Sequence, residues 1–143
     1  METNEIKIVI VEDDHFYGEL LRKYVTQVVE GIFPHYSGIV RHHISAPECV
    51  ENLDRDTRLF ILDYNLTGEG DSGQTTGVDL LEIVKEECPT AQVIVVTQHS
   101  DFATINKFAR LGADRYILKD QDTPLKITAA LRQLLEQKPV STL

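Results

Sequence analysis

Four short apolar runs punctuate the chain: Ile6–Val11, Leu59–Leu62, Val93–Val96 and Tyr116–Leu118. They are rich in β-branched residues and almost unbroken by polar ones. That is the pattern of strands buried on both faces, as in a parallel sheet. Ile39–Ile44 is a fifth, weaker candidate, and its Arg41, His42 and His43 suit an edge strand.

Helical periodicity fills the gaps. Phe16, Leu20, Leu21, Tyr24 and Val28 recur at helical spacing, with Glu19, Arg22, Lys23 and Gln27 on the opposite side. Ser45-Ala-Pro-Glu48 reads as a capping box with proline in the first turn, opening a second helix that ends near Leu53. Val78 to Glu87 forms a third, stopped by Pro89. Ser100 is the expected cap of a fourth, with Phe102, Ile105, Phe108 and Ala109 on its apolar face and Gly112 at its end. Thr123-Pro124 opens a fifth, with Ile127, Leu131, Leu134 and Leu135 on one face. Thr67 to Thr76 is polar, rich in glycine and fits no element.

Strand followed by helix, five times over, predicts an α/β fold: a doubly wound parallel sheet with helices on both faces. Ligands bind outside the C-terminal ends of the strands in such sheets. The residues there are Glu12, Asp13 and Asp14 after the first strand, Asp63 after the third, Thr97 after the fourth and Lys119 after the fifth.

Carboxylates gathered at one rim either rise in pKa or share a cation. A hard cation such as Mg²⁺ takes oxygen ligands and needs only one or two protein carboxylates, which Asp13 and Asp63 supply. A lysine neutralises a second anion, and a threonine hydroxyl donates to it. These are the parts of phosphoryl transfer to an aspartate. Each residue also has a plainer reading. Glu12-Asp13-Asp14 can cap the first helix, and Asp63 can be a turn residue. What favours the chemical reading is the order acid, acid, hydroxyl, base, each directly at a strand end.

Bulk properties narrow the setting. The 143 residues suit one core. No apolar run approaches the roughly 20 residues of a membrane span, and the acidic N-terminus lacks the features of a signal peptide. A cytoplasmic protein is expected. A net charge of −9 argues against direct nucleic-acid binding by this domain. Cys49 and Cys88 lie far from any metal-ligand spacing and are read as packing residues. His42 and His43 are adjacent on the edge strand, point to opposite faces and are read as structural.

These residues resemble the receiver domains of two-component response regulators, of the chemotaxis-regulator type. Val9-Ile-Val-Glu-Asp-Asp14 is similar to the family's first strand and acid pair. Phe60-Ile-Leu-Asp63-Tyr-Asn-Leu66 is similar to its phosphoacceptor strand, and Val95-Val-Thr97 to the strand with the switch hydroxyl. Gly112-Ala-Asp-Arg-Tyr116-Ile-Leu-Lys119 is similar to the stretch holding a switch aromatic and the lysine. The likeness runs from about Ile6 to Leu135.

The resemblance implies a flavodoxin-like sheet in the order 2-1-3-4-5. It implies that Asp63 takes a phosphoryl group from a phosphohistidine on a sensor histidine kinase or histidine phosphotransfer protein. Asp13, Asp63 and the Asn65 carbonyl would ligate Mg²⁺, with Glu12 holding metal-bound water. Lys119 would pair with Asp63 and then with a phosphoryl oxygen. Thr97 would move towards that group, Tyr116 filling the space it leaves. Such a domain is no ordinary enzyme, since it only phosphorylates and dephosphorylates itself. Residues 1–137 would form the receiver, and 138–143 a tail or the start of a linker to an output domain. A homodimer through the fourth and fifth helices stays open.

The sequence departs from the family in places. Thr67 stands where a proline is usual, the following loop is longer, and Asp120 replaces the proline after the lysine, so no cis bond is expected there. Gln98 follows the switch threonine where a small residue is usual. It is expected to crowd the phosphoryl group and lengthen its life, while Asn65 and His99 flank the path of attacking water. Two other readings remain: a degenerate receiver serving as an unphosphorylated binding module, and a Mg²⁺-dependent aspartyl-phosphate phosphohydrolase. Asn65 stands where the hydrolase would need a second aspartate.

Overall fold

The computed structural model describes residues 5–64 and 77–136. The order is β1 (Glu5–Val11), α1 (His15–Ile32), β2 (Ser37–His43), α2 (Ala46–Glu51), β3 (Leu59–Asp63), α3 (Gly77–Glu87), β4 (Gln92–Thr97), α4 (Phe102–Arg110), β5 (Arg115–Leu118) and α5 (Thr123–Glu136). The five strands form one sheet in the order β2-β1-β3-β4-β5, every pair parallel. The expected α/β class and strand order are both present. The polar β2 is an edge strand, as its composition predicted.

Strand side chains alternate between two cores. Ile6, Ile8 and Ile10 of β1, Leu59 and Ile61 of β3, and Ile94 and Val96 of β4 pack with α1 and α5. The intervening Val9, Val11, Phe60, Leu62, Val93 and Val95 pack with α2, α3 and Phe108 of α4. The five-residue β3 is buried throughout, which is why its sequence reads as a continuous apolar run.

Helix α5 buries Ile127, Leu131, Leu134 and Leu135, as predicted. Ser45 caps α2, its hydroxyl accepting from the Glu48 amide at 3.2 Å. That helix is shorter than expected, ending at Glu51.

Two helix assignments change. The buried face of α1 is Gly18, Leu21, Val25 and Val29, whereas Phe16 is 74% exposed and Leu20 51%. The helix is rotated from the predicted stripe because Gly18, having no side chain, lets it approach the ring of His42. The cap of α4 is Asp101, not Ser100. Its Oδ2 accepts from the Thr104 amide at 3.0 Å and from the Thr104 hydroxyl at 2.7 Å, a stronger acceptor than a serine oxygen one residue earlier. Of the predicted α4 face only Phe108 is buried, with Phe102 80% exposed. That helix ends as expected before Gly112, whose φ of 103° suits glycine.

The described residues contain no cis peptide bond. Among them no helix is long and apolar enough to cross a membrane. Both cysteines are free and buried, and burial pushes the Cys49 thiol up to about 12. Asn65, the 67–76 loop and the 138–143 tail lie outside the described residues.

Candidate functional site

Parallel strands bring the ends of β1, β3, β4 and β5 to one rim, and the sequence candidates meet there. Lys119 Nζ lies 2.9 Å from Asp63 Oδ2 and 3.5 Å from Glu12 Oε1. Glu12 and Asp63 are only 3% and 5% exposed. Glu12, Asp13 and Asp63 each offer a carboxylate oxygen, all within 4.8 Å of one another.

The acidic trio after β1 divides its labour. Asp14 caps α1, accepting from the Tyr17 amide at 2.9 Å, so the plainer reading holds for it. Asp13 is exposed and faces the rim group. Glu12 turns inward, where its Oε2 accepts from the Asp14 amide at 3.1 Å. Burial pushes the Glu12 carboxyl up to about 8, reinforced by its hydrogen bond with the Asp63 carboxyl; Lys119 works the other way. Burial also opposes the charge on Lys119, but its bond to Asp63 and the nearby Glu12 outweigh this and raise its pKa. One ammonium thus serves two buried carboxyls.

That donor set fits a hard divalent cation. Three hard oxygens converge, and the protein's own cation does not neutralise them fully. Asn65, the fourth expected contributor, lies outside the described residues.

The switch candidates sit on the adjoining strands β4 and β5, where the Lys119 amide donates to the Thr97 carbonyl at 2.6 Å. Thr97 is fully buried, and its Oγ1 accepts from the His99 amide at 3.1 Å. The Tyr116 hydroxyl donates to the His99 carbonyl at 2.7 Å. One residue, His99, therefore ties both together through its backbone. Gln98 is exposed.

Two contributors escaped the sequence reading. Tyr17 presents its ring to Lys119, whose Nζ is 5.5 Å from the ring centre, a cation–π distance. Its signal was its place four residues after Asp13, since side chains in a first helical turn lean back towards the strand end. Tyr64 follows Asp63 and so points to the opposite face. Its ring meets His99 edge-on at 5.4 Å and Phe108 at 4.7 Å, and Phe108 lies 6.2 Å from Tyr116.

Comparison with known proteins places the chain in a family. The profile of the response regulator receiver domain matches residues 8–132. The chain belongs to that receiver family. It is 28% identical over 145 residues to the transcriptional regulatory protein MalR of Bacillus subtilis, covering 96% of this chain and 54% of MalR. With the transcriptional regulatory protein DcuR of Escherichia coli it shares 29% identity over 116 residues, covering 80% of this chain and 44% of DcuR. It thus spans about half the length of these curated relatives. Among solved structures, the BeF3-activated DrrB receiver domain of Thermotoga maritima superposes with a TM-score of 0.74 at 22% identity. That match covers 93% of this chain and 99% of DrrB's.

Proposed function

We propose that this domain is a phosphorylation switch whose acceptor is Asp63. The observation that carries the reading is the buried Asp63 carboxylate at a strand end, 2.9 Å from Lys119 and within 4.8 Å of carboxylate oxygens of Glu12 and Asp13. An Asp63 oxygen attacks the phosphorus of a phosphohistidine on a sensor kinase or phosphotransfer protein. A P–O bond forms, the P–N bond breaks, and the departing imidazole nitrogen keeps the electron pair and takes a proton.

Mg²⁺, held by Asp13, Asp63 and the Asn65 carbonyl with Glu12 behind, would supply positive charge opposite the transferring oxygens. Lys119 is already aimed at Asp63 and follows the charge onto a phosphoryl oxygen. Thr97 gives up its contact with the His99 amide to donate to that group. Tyr116, bonded to the same residue, moves with it. The new charge-assisted bonds shift a pre-existing equilibrium, and the surface around α4 changes.

The receiver is proposed to occupy residues 1–137, with 138–143 leading onwards, in a cytoplasmic protein. The curated relatives are named as transcriptional regulators, which supports an output on gene expression through a further domain. Exposed Gln98, with Asn65 and His99, is proposed to set the phosphoryl lifetime. Gln98→Ala should speed the decay of the phosphorylated protein, and an unchanged rate would remove Gln98 from that role.

The test is incubation with acetyl phosphate and Mg²⁺ followed by intact mass. One added phosphoryl group, absent in Asp63→Asn and in EDTA, is the expected result. No modification would point to a binding module that is never phosphorylated. Continuous phosphate release from small phosphomonoesters would point to a hydrolase.

A further inference from the structure

His42 sits on the edge strand β2, outside the group of rim residues, yet its side chain is only 2% exposed. Its Nε2 lies 2.7 Å from the backbone carbonyl of Glu12. A carbonyl only accepts, so Nε2 carries the hydrogen. The other ring nitrogen, Nδ1, lies 3.2 Å from Glu19 Oε2 on α1. Glu19 is itself held by Arg22, whose Nε is 3.0 Å from Glu19 Oε1.

The neighbouring strand residue completes a clamp. The Glu12 amide donates to the His43 carbonyl at 3.0 Å. Both backbone polar groups of Glu12 are therefore fixed by β2, one by the ordinary strand ladder and one by a side chain. The second matters more for chemistry. The Glu12 carbonyl belongs to the peptide that joins Glu12 to Asp13, and the plane of that peptide sets where the Asp13 side chain departs. Just past the strand end no ladder partner is left to fix it, and the imidazole takes that place.

The helix is built around this ring. A Cβ at Gly18 would lie 2.1 Å from His42 Cε1 and Nε2, so only glycine admits the ring there. Glycine is otherwise unfavourable inside a helix. The α1 rotation noted above, which leaves Phe16 and Leu20 outside, has the same origin.

We propose that His42 is a positioning residue for the divalent-cation site, holding the Glu12–Asp13 peptide so that the two carboxylates converge before the cation arrives. The inference rests on the phosphorylation-switch reading of the same rim. It is the logic of outer-shell partners in metal sites, whose loss typically weakens metal binding about 10–100-fold.

The test uses the whole chain and Mg²⁺ alone as the probe, with binding measured by calorimetry and folding by circular dichroism and urea midpoint. His42→Phe keeps the ring and removes the donor; Mg²⁺ affinity should fall about tenfold or more. His42→Gln, which restores an N–H donor, should recover most of it. A purely structural ring would be served at least as well by Phe as by Gln. In acetyl phosphate labelling, the His42→Phe deficit should be larger at low Mg²⁺ than near saturation. Where His42→Phe does not fold, Glu19→Ala decides, because it frees the ring from its exposed end. Weaker Mg²⁺ binding supports the proposal and unchanged binding overturns it. Equal Mg²⁺ affinity in folded His42→Phe and wild type overturns this proposal alone. Wild type that binds no Mg²⁺ overturns the reading of the rim as well.

Discussion

The two faces of the sheet are made of different materials. Towards α1 and α5 the buried residues are aliphatic throughout, from Ile6, Ile8 and Ile10 to Ile127, Leu131 and Leu134, with Tyr17 and Phe33 only partly buried against them. Towards α2, α3 and α4 it holds Phe60, Phe108, Cys49 and Cys88, with Tyr64 and Tyr116 packed at its edge. The alternation continues to the rim. Glu12 stands two residues after Ile10, Asp63 two after Ile61 and Lys119 two after Ile117, so the charged group crowns the aliphatic face. Thr97 stands two after Val95 and Tyr64 two after Leu62, so they crown the aromatic one. The proposed chemistry and the proposed switch thus lie on opposite faces. Asp63 pairs with Val96 in the sheet, so one residue along β4 carries a change at Asp63 through to Thr97. A site held on close-packed aliphatic residues stays put, while aromatic edges a few ångströms apart can repack.

The largest effect should come from breaking the aliphatic side. Ile127 is fully buried, and Ile127→Ala should lower the unfolding free energy by about 2–5 kcal/mol, through lost transfer energy and the cavity left behind. Phe108→Leu, a smaller change on the other side, should cost about 1.5 kcal/mol or less. Urea midpoints compare them. A loss at Phe108 as large as that at Ile127, from the smaller change, would mean that the aromatic side is the less able to repack.

Strand parity was open to view in the sequence, and so was most of the rim. β-branched runs located four strands, and Glu12, Asp13, Asp63, Thr97 and Lys119 followed from being the next residues along. What the chain alone hid was rotation and approach. Nothing in the spacing of Phe16, Leu20 and Leu21 says that Gly18 must face His42, because the partner lies 24 residues away on another strand. The cap of α4 was misplaced for a local reason: Ser100 and Asp101 are adjacent and both cap helices well. Tyr17 and Tyr64 were missed because neither is polar enough to look chemical. Each acts by lying against a residue that is.

A second test concerns charge stored on the aliphatic side. Burial and Asp63 hold the Glu12 carboxyl at about 8, well above its ordinary value near 4.5. The folded protein therefore binds this proton more tightly than the unfolded chain does. Its contribution to stability is complete below pH about 4.5 and is lost as pH rises towards and through 8. In EDTA, stability should fall across that window by on the order of 2 kcal/mol, less than the full shift would give because Glu12, Asp63 and Lys119 titrate together. Glu12→Gln should flatten the slope. Thr97→Val, on the other face, should leave it intact. A slope that survives in Glu12→Gln would assign the strain to another group and blur the division between the faces.

The smallest effect is the most telling for the aromatic side. Tyr64 and Phe108 meet edge-on at 4.7 Å, the geometry in which aromatic pairs gain about 0.5–1.5 kcal/mol beyond their buried area. A double-mutant cycle of Tyr64→Leu and Phe108→Leu should return a coupling energy in that range. The cross-face pair Tyr17→Leu and Phe108→Leu should be additive within about 0.5 kcal/mol, since the sheet separates them and they share no partner. Repeating the first cycle on the phosphorylated protein asks the mechanistic question. If His99 moves with Thr97 and Tyr116, Tyr64 loses its edge contact at 5.4 Å and its ring shifts on Phe108, so the coupling should change. A coupling of the same size in both states would show that the Tyr64–Phe108 contact is fixed scaffold. The signal from Asp63 would then reach α4 through Thr97 and Tyr116 alone.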